Sequence, residues 1–527
     1  MKLKYIWLIG IMFGLIACDE AESPIPEQET LPELTSGSAD FTNYVAIGAS
    51  FTAGFTDGAL FKAAQENSFP NILHQQFSKV GGDNFTQPLT NDNLGGLAAG
   101  GNRIQNPRLV FGGAGPVPLE AVVGPVTVTT DIATNNPTGP FNNLGIPGAK
   151  SFHLVANGYG NIANLPAANP YAVRVTGSTP NASILELALA QNPTFFTLSE
   201  VGGNDVLSYA TTGGIGIDQT GNLNPLTYGN NDITDPNVFA QAFNGIVTAL
   251  TANGAKGVVT NVPYVTDLPY FTTIPNNALV LDAATAAQLT GVFQAVSGIF
   301  LQGLLMQSVP LQQAQALAAQ YAITFNAGPN RWIIDVPVTP TNPLGFRQMT
   351  EDELLVLTID QNALRTQGYG TVALTPEVLQ VLGLLQQGGT PTAQQAGLVL
   401  AAVNGIDDKD VLDTDELDAI KTATYAYNAV IENVAATNEN IALVNLNSIL
   451  TEVASTGVNF DGFNLTADLV TGGALSLDGI HLNARGYAFM ANKFLETIDA
   501  NFGTNFFDSG NVAQAKDYPT VYAPNLQ

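Results

Sequence analysis

The chain has 527 residues, 45% hydrophobic and 8% aromatic, so it can bury a substantial core and wholesale disorder is excluded. Lys and Arg number 17 against 44 Asp and Glu, a formal charge of −27 that argues against nucleic acid and against electrostatic docking on an anionic membrane. One cysteine forbids a disulfide framework and a Cys-rich zinc site, and three histidines argue against a multi-histidine metal centre.

Met1 to Ala17 places Lys2 and Lys4 before an apolar run from Tyr5 to Ile16. The run is too short for a comfortable membrane span, and residues 1–17 read as a secretory signal. It ends Leu15-Ile16-Ala17-Cys18, which resembles the bacterial lipoprotein lipobox. That resemblance implies cleavage before Cys18, lipidation of Cys18 and attachment to a bacterial membrane. The alternative is an ordinary signal peptide with an incidental cysteine. Residues 18–40 are acidic, proline-bearing and poor in core residues, the composition of a flexible tether. Acidic residues just after Cys18 resemble surface-export signals of some bacterial lipoproteins. They favour the outer membrane or cell surface over the inner membrane, without fixing the membrane face.

The folded body is expected over residues 41–527. Tyr44-Val45-Ala46-Ile47-Gly48 has the pattern of a buried strand. Pro70, Ile72, Leu73 and Phe77 follow at helical spacing. Residues 81–148 are rich in Gly, Asn and Pro and read as an irregular excursion, with an insertion over about 81–140 and a hairpin around Val122–Thr130. Further strands are expected at Pro193–Leu198, Gly257–Val262 and Ile441–Leu446, and helices at Ala182–Ala190 and Val238–Ala252. Short apolar strands alternating with helices argue for an α/β fold, a parallel sheet covered on both faces.

Between the last two strands lies a large, mainly helical insertion, about 271–440. Its first part, Ala283 to Asn330, holds no charged residue. Leu289, Val292, Phe293, Val296, Ile299, Phe300 and Leu304 recur there at helical spacing. Plain packing in an inserted subdomain is the leading reading, and an apolar lid or acyl-binding wall the second. Val378–Leu385 and Leu398–Val403 belong to the same insertion. The acidic run Asp407 to Glu416 lacks the spacing of a calcium loop and reads as the entry to a helix.

Four blocks carry candidate chemistry. Gly48-Ala49-Ser50-Phe51-Thr52-Ala53-Gly54 directly follows the first strand, and small residues flanking a serine expose its hydroxyl at the carboxyl edge of a sheet. Asn143-Leu144-Gly145-Ile146-Pro147-Gly148-Ala149 offers glycines whose backbone a substrate can approach closely. In Gly202-Gly203-Asn204-Asp205, an asparagine amide at a strand-end turn can donate to a developing oxyanion. In Asp478-Gly479-Ile480-His481, a carboxylate three residues before a histidine can meet one ring nitrogen and leave the other for a nucleophile. Taken alone, each has a plain reading: a helix cap at Ser50, a loop at Gly148, a turn at Asn204, a structural histidine at His481. His74 and His153 have no carboxylate at useful spacing and read as structural, with His153 near a pocket rim.

In this order the four blocks resemble the SGNH (GDSL-type) hydrolase family, and the resemblance spans Asn43 to about Phe494. It implies a flavodoxin-like doubly wound sheet with large insertions and hydrolysis of esters or thioesters without a metal or organic cofactor. Carried onto this chain, Ser50 is the nucleophile, His481 the general base and Asp478 its orienting partner. The Ser50 and Gly148 amides and the Asn204 side chain form the oxyanion hole. One departure is Ala49, where the family usually carries Asp, which puts the rigidity of the nucleophile turn in question. The implied function is an exported serine ester hydrolase acting on acyl-lipid or other apolar esters. The alternatives are a carbohydrate acetyl-esterase, or a surface lipoprotein that binds glycan or protein on a hydrolase scaffold without catalysis. The oligomeric state is left open.

Overall fold

The computed structural model describes residues 31–526. The expected signal segment and Cys18 lie outside the described residues. Five parallel strands form the central sheet: β1 (Tyr44–Gly48), β2 (Asn143–Gly145), β3 (Phe195–Ser199), β4 (Lys256–Thr260) and β5 (Ile441–Val444). Their spatial order is 2-1-3-4-5, one of the two common doubly wound arrangements, whose switch point lies between β1 and β3. All residues of β1 and β3 are buried, which is why they read as unbroken apolar runs rather than alternating ones. Gly48 pairs with Gly145 on one side and Ser199 on the other, so the three strands end level and release their following loops at one edge.

Helices cover this sheet. In chain order the main ones are α1 (Ser50–Ala53), α2 (Phe69–Phe77), α3 (Ile184–Leu189), α4 (Gly203–Ala210), α5 (Pro236–Thr251), α6 (Ala283–Met306), α7 (Pro376–Gln386), α8 (Ala393–Leu400), α9 (Thr414–Thr437) and α10 (Ala484–Phe502). In one layer α2 packs on α10, with the Phe69 and Phe494 rings stacked at 4.9 Å; in another α5 packs on α9, with Phe239 and Tyr427 stacked at 4.4 Å. Asn169 and Asp235 begin their helices by accepting N–H bonds ahead of a proline, which supplies no donor and needs none there.

Four expectations need correction. The sheet contains a strand at Asn143–Gly145 that its Gly-rich sequence did not announce; three residues at the sheet's edge suffice because pairing with β1, not local propensity, makes it a strand. No hairpin forms at 122–130. The hairpins of that excursion pair Leu97–Ala99 with Asn102–Gln105 and Leu109–Phe111 with Pro116–Pro118, while Glu120–Val123 is a helical turn. The last part of the proposed tether is fixed: Thr35 N–H donates to Asn505 Oδ1 at 2.8 Å, Ser38 N–H donates to Phe502 O at 2.8 Å, and Ala39 is buried. Finally, α9 belongs to the main body, because Ile420, Ala423, Tyr427, Ile431 and Val434 form a stripe at helical spacing that joins the sheet's core.

The insertion therefore has a core of its own, running from Leu279 to Val411 around Val292, Phe293, Tyr321, Trp332 and Phe346. Helix α6 is long and apolar enough to cross a membrane by length and composition, yet its Leu289, Val292, Phe293 and Val296 are buried in this core. A cavity of about 1390 Å³ lies between α6, α7 and α8, lined by uncharged residues such as Gly298, Phe300, Leu382 and Gly397. The acidic run ends as expected in a helix entry, with Asp413 and Glu416 forming a reciprocal capping box at the start of α9.

Candidate active site

The loop after β1 turns into α1 so tightly that Gly48 must lack a side chain: a Cβ there would collide with Thr52 Oγ1 and Ser199 O. The next two residues are Ala49, the N-cap of α1, and Ser50, its first helical residue, 7% exposed. Ala49 makes no side-chain cap bond. The Ser50 and Gly148 N–H groups donate to no protein acceptor among the described residues.

Asp478 and His481 lie on the turn before α10. His481 Nδ1 meets Asp478 Oδ2 at 2.8 Å, and both side chains are 12% exposed. Asp478 Oδ1 accepts from the Ile480 and His481 N–H groups and from Ser476 Oγ, each at 2.9 Å, and Oδ2 also accepts from Gly58 N–H at 2.8 Å. Burial alone would raise this carboxyl's pKa, but the His481 ring and the N–H donors outweigh it and hold it well below the usual carboxylate range. An ionised Asp478 accepts the Nδ1 proton, which turns Nε2 toward the role of acceptor for a nucleophile's proton.

The segment following Ser50 clamps this turn from the other end of the chain. Asp57 N–H donates to Ser476 Oγ at 3.1 Å, and Leu477 N–H donates to Asp57 Oδ1 at 3.0 Å. Tyr487 OH, on α10, donates to Phe55 O at 2.6 Å. The His481 ring sits 4.6 Å from Phe55 and 5.9 Å from Phe51, centroid to centroid. No hydrogen bond joins Ser50 Oγ to His481 among the described residues; what brings their segments together is this set of ring contacts and loop bonds. In unliganded sites the nucleophile–base bond is often open and tightens when substrate arrives.

The remaining blocks meet at the same edge. Asn204 Nδ2 donates to Ala149 O at 3.0 Å, spending one amide hydrogen on the Gly148–Ala149 loop and leaving one free. Asp205, which sequence reasoning passed over, ties the two blocks more firmly: its carboxylate accepts Ser151 N–H at 2.8 Å and Ser151 Oγ at 2.7 Å. The other missed residue is Glu200, buried one residue beyond β3. Its Oε1 accepts Ala49 N–H at 2.7 Å and Thr52 N–H at 3.0 Å. No motif marked it; an isolated Glu after a strand carries no local pattern.

The other histidines stay out of this set. His74 is half-buried, its pKa lowered by burial, and its ring stacks on Phe85 at 5.4 Å. His153 stacks on Tyr159 at 4.3 Å on the wall of a cavity of about 1050 Å³, and burial with nearby Lys150 pushes its pKa down to about 3. Chemically, the edge offers a near-buried serine, an oriented imidazole and uncommitted N–H donors, a set suited to acyl transfer. Comparison of the chain with family models, curated proteins and solved structures gives no match.

Proposed function

We propose that this protein is a serine ester hydrolase of the SGNH type that works through an acyl-serine intermediate. The observation that carries the reading is the Asp478–His481 pair, locked at 2.8 Å on a turn that packs directly on the segment bearing Ser50. His481 Nε2 removes the Ser50 hydroxyl proton as Oγ attacks the ester carbonyl carbon. The tetrahedral oxyanion is held by the Ser50 and Gly148 N–H groups and the free amide hydrogen of Asn204. Collapse expels the alcohol, which takes its proton from His481. Water, deprotonated by His481, then opens the acyl-serine and frees the acid. No cofactor enters the scheme.

Apolar acyl esters are the favoured substrate class, because the wall beside His481 is aromatic: Phe51 and Phe55 face the ring, and Tyr171 lies 6.1 Å from Phe55. We further propose attachment to the bacterial envelope through lipid on Cys18. Labelling with a fluorophosphonate probe tests the reaction: wild-type protein is labelled and Ser50→Ala is not, and an unlabelled wild type overturns the hydrolase reading. A series of p-nitrophenyl esters from acetyl to palmitoyl tests the substrate class; cleavage of acetyl alone overturns the apolar assignment.

A further inference from the structure

We propose that Glu200 is the positioning residue of the nucleophile turn, supplying from the end of β3 the helix cap that Ala49 cannot supply to α1. The proposal rests on Ser50 being the nucleophile and asks what keeps its hydroxyl in place.

A helix of four residues has almost no internal hydrogen bonding, so its N-terminal N–H groups need outside acceptors. The ordinary solution is a Ser, Thr, Asp or Asn at the N-cap, whose side-chain oxygen takes the N–H of the second or third helical residue. Here the N-cap is Ala49, a methyl group that accepts nothing. The third helical residue, Thr52, instead gives its N–H to Glu200 Oε1 at 3.0 Å, and Thr52 Oγ1 donates to Oε2 at 3.2 Å. The same Oε1 takes the Ala49 N–H at 2.7 Å. The carboxyl group thus grips the backbone on both sides of Ser50.

Three features fix Glu200 in that role. Its backbone sits in the left-handed region at φ +48°, where a side chain other than glycine is strained, and such strain persists only when surroundings hold it. Its N–H is pinned by Thr260 Oγ1 at 2.8 Å, so β4 sets its position. Gly48 leaves the room it occupies: a Cβ there would approach Glu200 Oε1 to 3.1 Å. Because Asn204 lies four positions on, one strand end sets both the nucleophile turn and the oxyanion donor. The role needs acceptor oxygen, not charge. Burial pushes Glu200 up to about 7 against the pull of the Thr52 and Ala49 donors, and its Oε1 can accept in either state.

The test compares Glu200→Ala, Glu200→Gln and the double variant A49D/E200A with wild type, using p-nitrophenyl butyrate turnover and fluorophosphonate labelling rate. Loss of placement at the reacting atom lowers kcat of E200A by ~100-fold with little change in KM, and labelling slows in proportion. E200Q keeps the accepting oxygen and stays within about tenfold of wild type. In A49D/E200A an aspartate at the N-cap restores the Thr52 bond and recovers at least about tenfold of the loss. Should E200A fail to fold by circular dichroism, Glu200→Asp, one methylene too short to reach both donors, takes its place with the same expected loss. Wild-type labelling with undiminished E200A turnover overturns this proposal alone. So does a loss in E200Q as deep as in E200A with no recovery in the double variant. An unlabelled wild type overturns it together with the hydrolase reading.

Discussion

The sheet edge and the insertion are built by different means. At the edge, buried carboxylates reach across the sequence to hold backbone: Glu200 grips 49–52, Asp205 grips Ser151, and Asp57 and Asp478 exchange bonds between the two ends of the chain. The insertion closes its own core with apolar packing and leaves between α6, α7 and α8 a cavity without a charged residue on its wall. The difference is instructive. Placing atoms to within fractions of an ångström takes directional acceptors in a low dielectric, whereas enclosing space takes only apolar surface. The two regions meet at Gly479, whose carbonyl accepts Tyr270 N–H at 2.9 Å, while Leu357 N–H donates to Tyr270 O at 2.7 Å.

The largest effects belong to the edge. His481→Ala is expected to lower kcat by ~10⁶-fold, because base and nucleophile act as one unit, while His74→Ala leaves turnover unchanged. The reverse pattern would move the chemistry away from the edge altogether. Asn204→Ala is expected to cost ~10²–10³ in kcat with KM nearly unchanged, as the loss of one oxyanion donor does. A fall in KM-limited binding alone would make Asn204 a loop brace, leaving its bond to Ala149 O as its whole role.

The contact between the two regions is itself open to a coupling experiment. Gly479 has φ +73°, and a Cβ there would stand 3.0 Å from Tyr270 N and 3.1 Å from Leu357 Cδ2. Gly479→Ala is therefore expected to destabilise the fold by about 1–3 kcal/mol and to lower kcat by displacing the Asp478–His481 turn. Thermal unfolding and turnover measured together check this, and loss of stability without loss of turnover would mean that the insertion leans on the edge without aligning it.

The edge's buried acids also set a pH signature. Burial pushes Asp57 and Glu200 each up to about 7, so the folded chain keeps protons that the unfolded chain has released above ~4. The native state then binds more protons than the unfolded state between pH ~4 and 7, and stability falls as pH rises through that window, levelling above it. Asp478 acts with the opposite sign: its contribution is present above ~4 and is lost as pH falls further. Asp57→Asn is expected to flatten part of the decline between pH 4 and 7, measured as melting temperature across that range. An unchanged slope would remove Asp57 from the account.

The same contrast explains what the sequence made legible. Strands β1, β3, β4 and β5 were visible because burial on both faces leaves a continuous apolar run, and α6 because its apolar residues recur at helical spacing. Strand β2 was not, since three residues of Asn-Leu-Gly become a strand only through pairing with β1. Ser50, Gly148, Asn204, Asp478 and His481 stood out because each sits in a short block of unusual composition. Glu200 and Asp57 did not, because their partners lie about 150 and 420 residues away and no local pattern encodes such a bond. Helix α9 was assigned to the insertion for a related reason: the acidic run marked where a helix begins without saying which core would bury it.

That boundary supplies the smallest effect. Asp413 caps α9 by accepting Glu416 N–H at 3.0 Å, and Glu416 Oε2 accepts Asp413 N–H at 2.7 Å in return. Replacing Asp413 by Ala removes one acceptor at the seam between the regions, an expected cost of about 1 kcal/mol. Because α9 packs on the sheet's core through Tyr427 and Ile431, the loss should appear in the unfolding of the main body, with kcat unchanged. Hydrogen exchange resolved by segment checks it. Weakened protection confined to 279–411 would return α9 to the insertion and erase the boundary between the two regions.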